Sequence, residues 1–286
     1  MYSIDSVLQT VEDKWLSLLF NHCKSEFSKT CLPSHDESHH YRVWLTAKRL
    51  IGELGKFNYT FTISDIEKMI IAAFFHDIGM SVDPGPEHGS ISRKMAEDFF
   101  TKTNVPDVTG LPEICDVIAK HDDKEYKSKR LKGDLAPDSL FPILNVSDDL
   151  DALGITGIYR YAEIYLLRGV AVKDLGFKVL RNLEERYKFF TGIYGFLHHF
   201  CSLQNDRYQI IQEFYNNMIL HQDTDSSKYG SKSGPAGVIG YFQELILDRK
   251  MPIKKVFNEV EKSTSDAYIL DYFHKLSREF YVKEDG

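Results

Sequence analysis

Residues 64–79, SDIEKMIIAAFFHDIG, decide the fold. Ser64 and Glu67 stand at the spacing of a capping box. Ile66, Met69, Ile70, Ala73 and Phe74 then recur at three- and four-residue steps, the period of a helix with one apolar face. The stripe runs straight into His76 and Asp77 and meets Gly79, which reads as a helix C-cap. A helix this apolar belongs in a core, so the imidazole and carboxylate at its end are expected to be buried with it. Burying them is costly unless a partner satisfies them, and a divalent cation is such a partner. The partial negative charge at a helix C-terminus favours a cation in the same place.

The same periodicity extends in both directions. Val7, Leu8, Val11, Trp15, Leu18 and Leu19 form an opening amphipathic helix. Ser34 and Glu37 repeat the capping-box spacing before a stripe of Val43, Ala47, Leu50, Ile51 and Leu54, with Gly55 as the stop. Residues 81–87, SVDPGPE, read as a loop. Ile91, Met95, Ala96 and Phe99 mark the next helix, and Pro112 suits the first turn of one carrying Ile114, Val117, Ile118 and His121. The charged stretch 122–136 reads as an exposed loop. Pro142 opens a helix through Ile143, Leu144, Asp148 and Leu153 that ends near Gly154. Helical patterns continue from Thr156 to about residue 222, and residues 222–236, QDTDSSKYGSKSGPA, form a polar break. Two further helices fit 237–248 and 253–282. With no strand series and no internal repeat, the expected class is all-α.

Composition excludes several functions. The 286 residues are 43% hydrophobic and 13% aromatic, enough for a sizeable core without disulfides. Thirty-five basic against 42 acidic side chains leave a net charge of −7, so nucleic acid is not an expected partner. Cys23, Cys31, Cys115 and Cys201 include no CxxC pair and read as reduced thiols, which points to a cytoplasmic protein. No apolar run is long enough to span a bilayer, so no membrane role is expected. The N-terminal stretch has early acids and no basic segment, so it does not read as a signal peptide.

His39, the pair His76–Asp77, His88, His121 and Asp148 each sit near the end or on the apolar stripe of a different expected helix. Imidazole nitrogen and carboxylate oxygen suit Zn²⁺, Mn²⁺, Fe²⁺ or Co²⁺. A single histidine on an apolar face is more often a hydrogen-bonded core residue, so the argument rests on the combination. His198–His199, His22 and His35 have no such partner set and read as core or surface residues. The Tyr- and Phe-rich stretch after residue 158 reads as packing.

HDESHHYRV at 35–43 and FFHDIG at 74–79 resemble the opening and central motifs of the HD-domain metal-dependent phosphohydrolases. HGSIS at 88–92 and IAKH at 118–121 fall where many members carry their middle histidines, and SDDLDALGITGIYR at 147–160 resembles the closing segment. The resemblance covers roughly residues 30–165. It implies a helical bundle with a core over 1–165; residues 166–286 lie beyond the motifs and read from their periodicity as a helical extension. It also implies that His39, His76, Asp77 and Asp148 ligate a divalent metal ion (Mn, Mg, Co, Fe, Ni or Zn), as one ion or two. His88 and His121 match positions that hold a second metal or meet a substrate phosphate. Asp77 would touch both metal and water, and Arg42 and Arg160 are the motif-placed phosphate clamps. Lys124, Lys120 and Arg93 are further candidates for the phosphate. Met80 and Asp149 depart from the family pattern, where basic residues are common.

The implied activity is hydrolysis of a nucleotide or related small phosphoester by metal-activated water. Two alternatives stand beside it. One is an HD-type di-iron oxygenase, because the chain has six candidate ligands. The other is a weakly catalytic nucleotide-binding regulatory module, which Met80 and Asp149 favour. The extension would pack on the core, and it could cap the site, form a homodimer interface or bind another partner.

Overall fold

The structure is a computed structural model and describes residues 3–32, 34–103, 105–123, 135–220 and 233–281. Every regular element among them is helical: α1 (Ile4–Phe27), α2 (Glu37–Gly55), α3 (Ile63–Phe75), α4 (His88–Lys102), α5 (Leu111–Lys120), α6 (Leu140–Asp151), α7 (Gly154–Leu167), α8 (Val172–Tyr194), α9 (His198–Leu220), α10 (Gly234–Tyr241), α11 (Ile253–Ser263) and α12 (Ala267–Tyr281). A 3₁₀ turn covers Ile78–Ser81, and a π turn over Phe242–Asp248 continues α10. The chain is all-α, as its periodicity predicts. Most of the expected loops 122–136 and 222–236 lie outside the described residues. No described helix is long and apolar enough to cross a membrane.

The chain divides into two compact units. The first comprises residues 1–151 and 188–201, the second residues 152–187 and 202–286.

In the first unit α3 is the central helix, in contact with α1, α2, α5 and α6. Residues Ile70 to Phe75 have no exposed surface, so α3 is apolar all round rather than along one stripe. Its N-terminus differs from the expected Ser64–Glu67 box. Thr62 is the N-cap: its hydroxyl accepts from the Asp65 N–H at 3.2 Å, and Asp65 accepts from the Thr62 N–H at 2.9 Å. Likewise Asp36, not Ser34, caps α2, accepting from the Ser38 N–H at 3.0 Å. A hydroxyl in α3 and a carboxylate in α2 thus reach an orphan amide of the first turn, and such a cap stabilises by about 1 kcal/mol.

Gly79 is not a C-cap either. A Cβ there would collide with the His88 carbonyl and sit 2.7 Å from the Ser92 nitrogen. The Gly79 N–H donates to Ser92 Oγ at 2.8 Å. The missing side chain lets the first turn of α4 close on the turn that follows His76 and Asp77.

In the second unit, aromatic side chains fill the core. Tyr159 packs on Phe242 with ring centres 4.9 Å apart, and Phe242 on Phe273 at 5.3 Å. The Tyr215 hydroxyl donates to the Ile158 carbonyl at 2.9 Å. Glu279 accepts from the Thr156 N–H at 2.8 Å and so closes the N-terminus of α7. The single helix expected over 253–282 is two, because Asp266 accepts from the Ile269 N–H at 2.9 Å and caps a new start at α12.

Candidate metal centre

Four helix ends and one helix face of the first unit supply the site. His39 lies in the first turn of α2, His76 caps the C-terminus of α3 with Asp77 next to it, and His88 begins α4. His121 is the C-cap of α5, and Asp148 lies on α6. All six are buried, the most exposed being Asp148 at 7%.

They form two clusters that share Asp77. His39, His76, Asp77 and Asp148 each bring one donor atom within 4.8 Å of the others, and so do Asp77, His88 and His121. The separations suit one small ion per cluster. His39 Nε2 lies 3.2 Å from His76 Nε2. Asp77 Oδ2 lies 3.6 Å from His39 Nε2 and 3.5 Å from His76 Nε2. Asp148 Oδ1 lies 3.6 and 3.7 Å from the same two nitrogens. Two ligands each about 2.1 Å from a shared ion are about 3.0–3.4 Å apart at octahedral or tetrahedral angles. In the second cluster Asp77 Oδ1 lies 3.0 Å from His121 Nε2 and 3.3 Å from His88 Nε2. Asp77 thus turns one oxygen to each cluster.

The backbone fixes which nitrogen of each ring is available. His76 Nδ1 donates to the Ala73 carbonyl at 2.9 Å, His88 Nδ1 to Gly85 at 2.8 Å, and His121 Nδ1 to Ile118 at 2.7 Å. His39 Nδ1 donates to Asp151 Oδ2 at 2.8 Å. Each of these partners can only accept, so Nδ1 carries the hydrogen and Nε2 keeps its lone pair. Neutral rings therefore aim lone pairs at one another (His39 and His76) or at a carboxylate (His121 and His88). Such an arrangement needs positive charge at its centre, supplied by protons or by a metal ion.

The titration behaviour reflects that need. Burial disfavours a charged His88, but Asp77 outweighs burial and raises the ring to about 9. Burial likewise opposes charge on His76, and Asp77 and Asp148 outweigh it, so its pKa rises. Burial would raise the Asp77 pKa, yet His76 and the hydrogen bonds from His121, His39 and His88 hold it well below the usual carboxylate range. His40 behaves oppositely: burial and then the charges of His76 and His39 push it well below 6.5. Its Nδ1 faces the Ala73 carbonyl at 3.3 Å and its ring packs on Phe27, so it joins neither cluster.

Arg42, the expected phosphate clamp, is paired with a carboxylate of α6. Its Nε and Nη2 donate to Asp151 Oδ1 and Oδ2 at 2.8 and 3.0 Å, a two-pronged ion pair. The guanidinium is committed to the carboxylate that holds His39. Lys120 pairs with Asp116 and Arg93 with Glu97, both on solvated helix faces. Lys124 lies outside the described residues. Arg160 is on α7 in the second unit and is buried. Met80 and Asp149 are both buried. His198 and His199 are exposed, and His22 packs on Phe99 and Phe75.

Two residues of the site escaped the sequence reading. Asp151 was given no role there, although its spacing of three from Asp148 places both on one face of α6. His35 was set aside, yet its Nε2 lies 4.0 Å from Asp77 Oδ2 and its Nδ1 2.7 Å from Ser34 Oγ. Its spacing of four from His39 was the available signal.

Residues 37–153 match the family model described as HD domain. The match contains all six clustered residues, Arg42 and Asp151, and leaves His35 just outside. No curated protein and no solved structure matches the chain.

Proposed function

We propose that this chain, whose residues 37–153 match the HD domain model, is a metal-dependent phosphohydrolase acting on a nucleotide or related small phosphoester. The observation that carries the reading is the donor set: four imidazoles present Nε2 lone pairs, and Asp77 presents one oxygen to each of two clusters. In this reading His39, His76, Asp77 and Asp148 hold one divalent ion, and Asp77, His88 and His121 hold a second. Such ions, when bound, acidify water and draw charge from a phosphoryl oxygen.

The remaining roles belong to the chain's own side chains. Asp77 is buried and anionic, and it can accept a hydrogen bond that orients an attacking water. Asp151, held by Arg42, fixes the His39 ring through Nδ1. His35 can take a hydrogen on Nε2, because the Ser34 hydroxyl beside its Nδ1 can donate. That orientation suits it to pass a proton to a leaving oxygen. Burial of all these groups keeps bulk water from competing for the substrate.

A second reading is an HD-type di-iron oxygenase. The shared Asp77 with two or more further donors on each side supports it, as does the commitment of Arg42 to Asp151. One experiment separates the two. Protein stripped of metal is reloaded with Mn²⁺, Co²⁺, Zn²⁺ or Fe²⁺ and offered a panel of nucleotides and small phosphoesters, with phosphate release and oxygen consumption followed together. Phosphate release that needs added metal and is lost in His76→Ala supports the hydrolase. Oxygen uptake confined to the iron-loaded protein overturns it in favour of the oxygenase. Tight nucleotide binding with neither reaction overturns both and leaves a regulatory module.

A further inference from the structure

The second unit holds an open cleft of about 260 Å³ between α7, α9 and α12. That is just below the roughly 300–1,000 Å³ of drug-sized sites, so the cleft suits only a small ligand. Ile155, Ile158, Phe214 and Tyr272 form apolar walls, and Ile210 and Tyr268 stand at the lips, 37% and 40% exposed. The aromatic rings form a continuous surface: Phe214 lies 5.7 Å from Tyr272 and 6.4 Å from Tyr268, ring centre to ring centre. The Tyr272 hydroxyl is already committed to the Ile155 carbonyl at 3.2 Å, so this ring offers its face rather than its oxygen.

The charges around the cleft are not balanced. Lys275 pairs with Asp271 at 2.7 Å, one turn away on α12, and the two cancel. Glu213 also lines the cleft, and among the described residues it has no ion-pair partner. The Tyr268 phenol is pushed up to about 12, first by burial and then by the nearby carboxylates of Glu213 and Asp271. Aromatic faces beside an uncompensated carboxylate attract a cation twice over, through the ring quadrupole and through the charge. An anion would be repelled by both.

We propose that this cleft is a binding site for a small organic cation with an apolar body, its charged end beside Glu213 and its body against Phe214, Tyr268 and Tyr272. A bare metal ion would leave the apolar walls unused. A neutral apolar ligand would make no use of the Glu213 charge.

The test uses the full chain and three probes of similar shape: benzyltrimethylammonium, benzyl alcohol and phenylacetate, each titrated by calorimetry. The cation should bind saturably at one site and at least about tenfold more tightly than either control. Glu213→Gln and Tyr268→Ala change exposed side chains and should leave the fold intact, checked by circular dichroism. Each should weaken the cation by roughly fivefold to thirtyfold. Glu213→Gln should leave benzyl alcohol unchanged, whereas Tyr268→Ala removes a wall that both probes share. No saturable binding of the cation overturns the proposal, as does equal binding of all three probes. So does a folded Glu213→Gln variant with unchanged affinity.

Discussion

Replacing Asp151 by Asn removes one charge and almost no volume, in a position that touches the proposed metal only through His39. Asp151 accepts three charge-assisted hydrogen bonds: from His39 Nδ1 at 2.8 Å and from Arg42 Nε and Nη2 at 2.8 and 3.0 Å. An Asn oxygen can still accept from His39, so the ring keeps its tautomer and loses only the carboxylate that makes Nε2 a better donor. Loss of such a supporting carboxylate weakens metal binding about 10- to 100-fold, or about 1.4–2.7 kcal/mol. The variant also leaves the guanidinium without its ion pair. Breaking a fully buried pair costs about 3–5 kcal/mol. Arg42 keeps its bond to Ser38 Oγ at 2.9 Å, and its side chain is 22% exposed, so about 2 kcal/mol is expected here. The assay is calorimetric titration of Mn²⁺ into stripped protein, with urea unfolding of the same samples. A folded Asp151→Asn variant that binds Mn²⁺ as tightly as the parent would refute the reasoning.

Three further outcomes follow from the same geometry. Asp77→Asn should abolish both metal sites at once, read as ion stoichiometry by elemental analysis, because Asp77 alone serves both clusters; retention of one full equivalent would show that the clusters do not share it. Gly79→Ala drives a Cβ into the His88 carbonyl and should cost about 1–3 kcal/mol in urea unfolding, with the second ion lost before the first; an unchanged midpoint would contradict the close approach. In metal-free protein His88 is raised from 6.5 to about 9 by Asp77 against the pull of burial, and His76 shifts in the same direction. The native state then binds more protons than the unfolded chain between these values. The His88 contribution, roughly 3 kcal/mol, is complete below about pH 6.5 and lost as pH rises through about 9. The urea midpoint of metal-free protein should fall across that window, and His88→Gln should flatten the fall; a midpoint that rises instead would reverse the sign.

The core helices were legible because hydrophobic period is a strong local signal. Residues 64–79 announced a buried helix ending in His76 and Asp77, and α3 is that helix. The caps were less legible. Ser64–Glu67 and Thr62–Asp65 both satisfy a polar pair three apart, and only backbone geometry chooses between them. The six clustered donors could be picked out as residue types at helix ends, but their partners could not. Arg42 stood out by its place in the opening motif, but its partner Asp151 lies 109 positions away. Gly79 looked like a C-cap because its constraint, the His88 carbonyl, comes from a helix that packs back on it. Long-range contacts of this kind leave no local pattern to read.

The central claim is that separate helix ends converge on cation sites. Diffraction from crystals of Mn²⁺-loaded protein, with anomalous data at the manganese edge, tests it directly. The account predicts an anomalous peak within about 2.3 Å of His39 Nε2, His76 Nε2 and one oxygen each of Asp77 and Asp148, and a second beside Asp77, His88 and His121. Fully loaded protein with its manganese elsewhere, and neither cluster occupied, would contradict it.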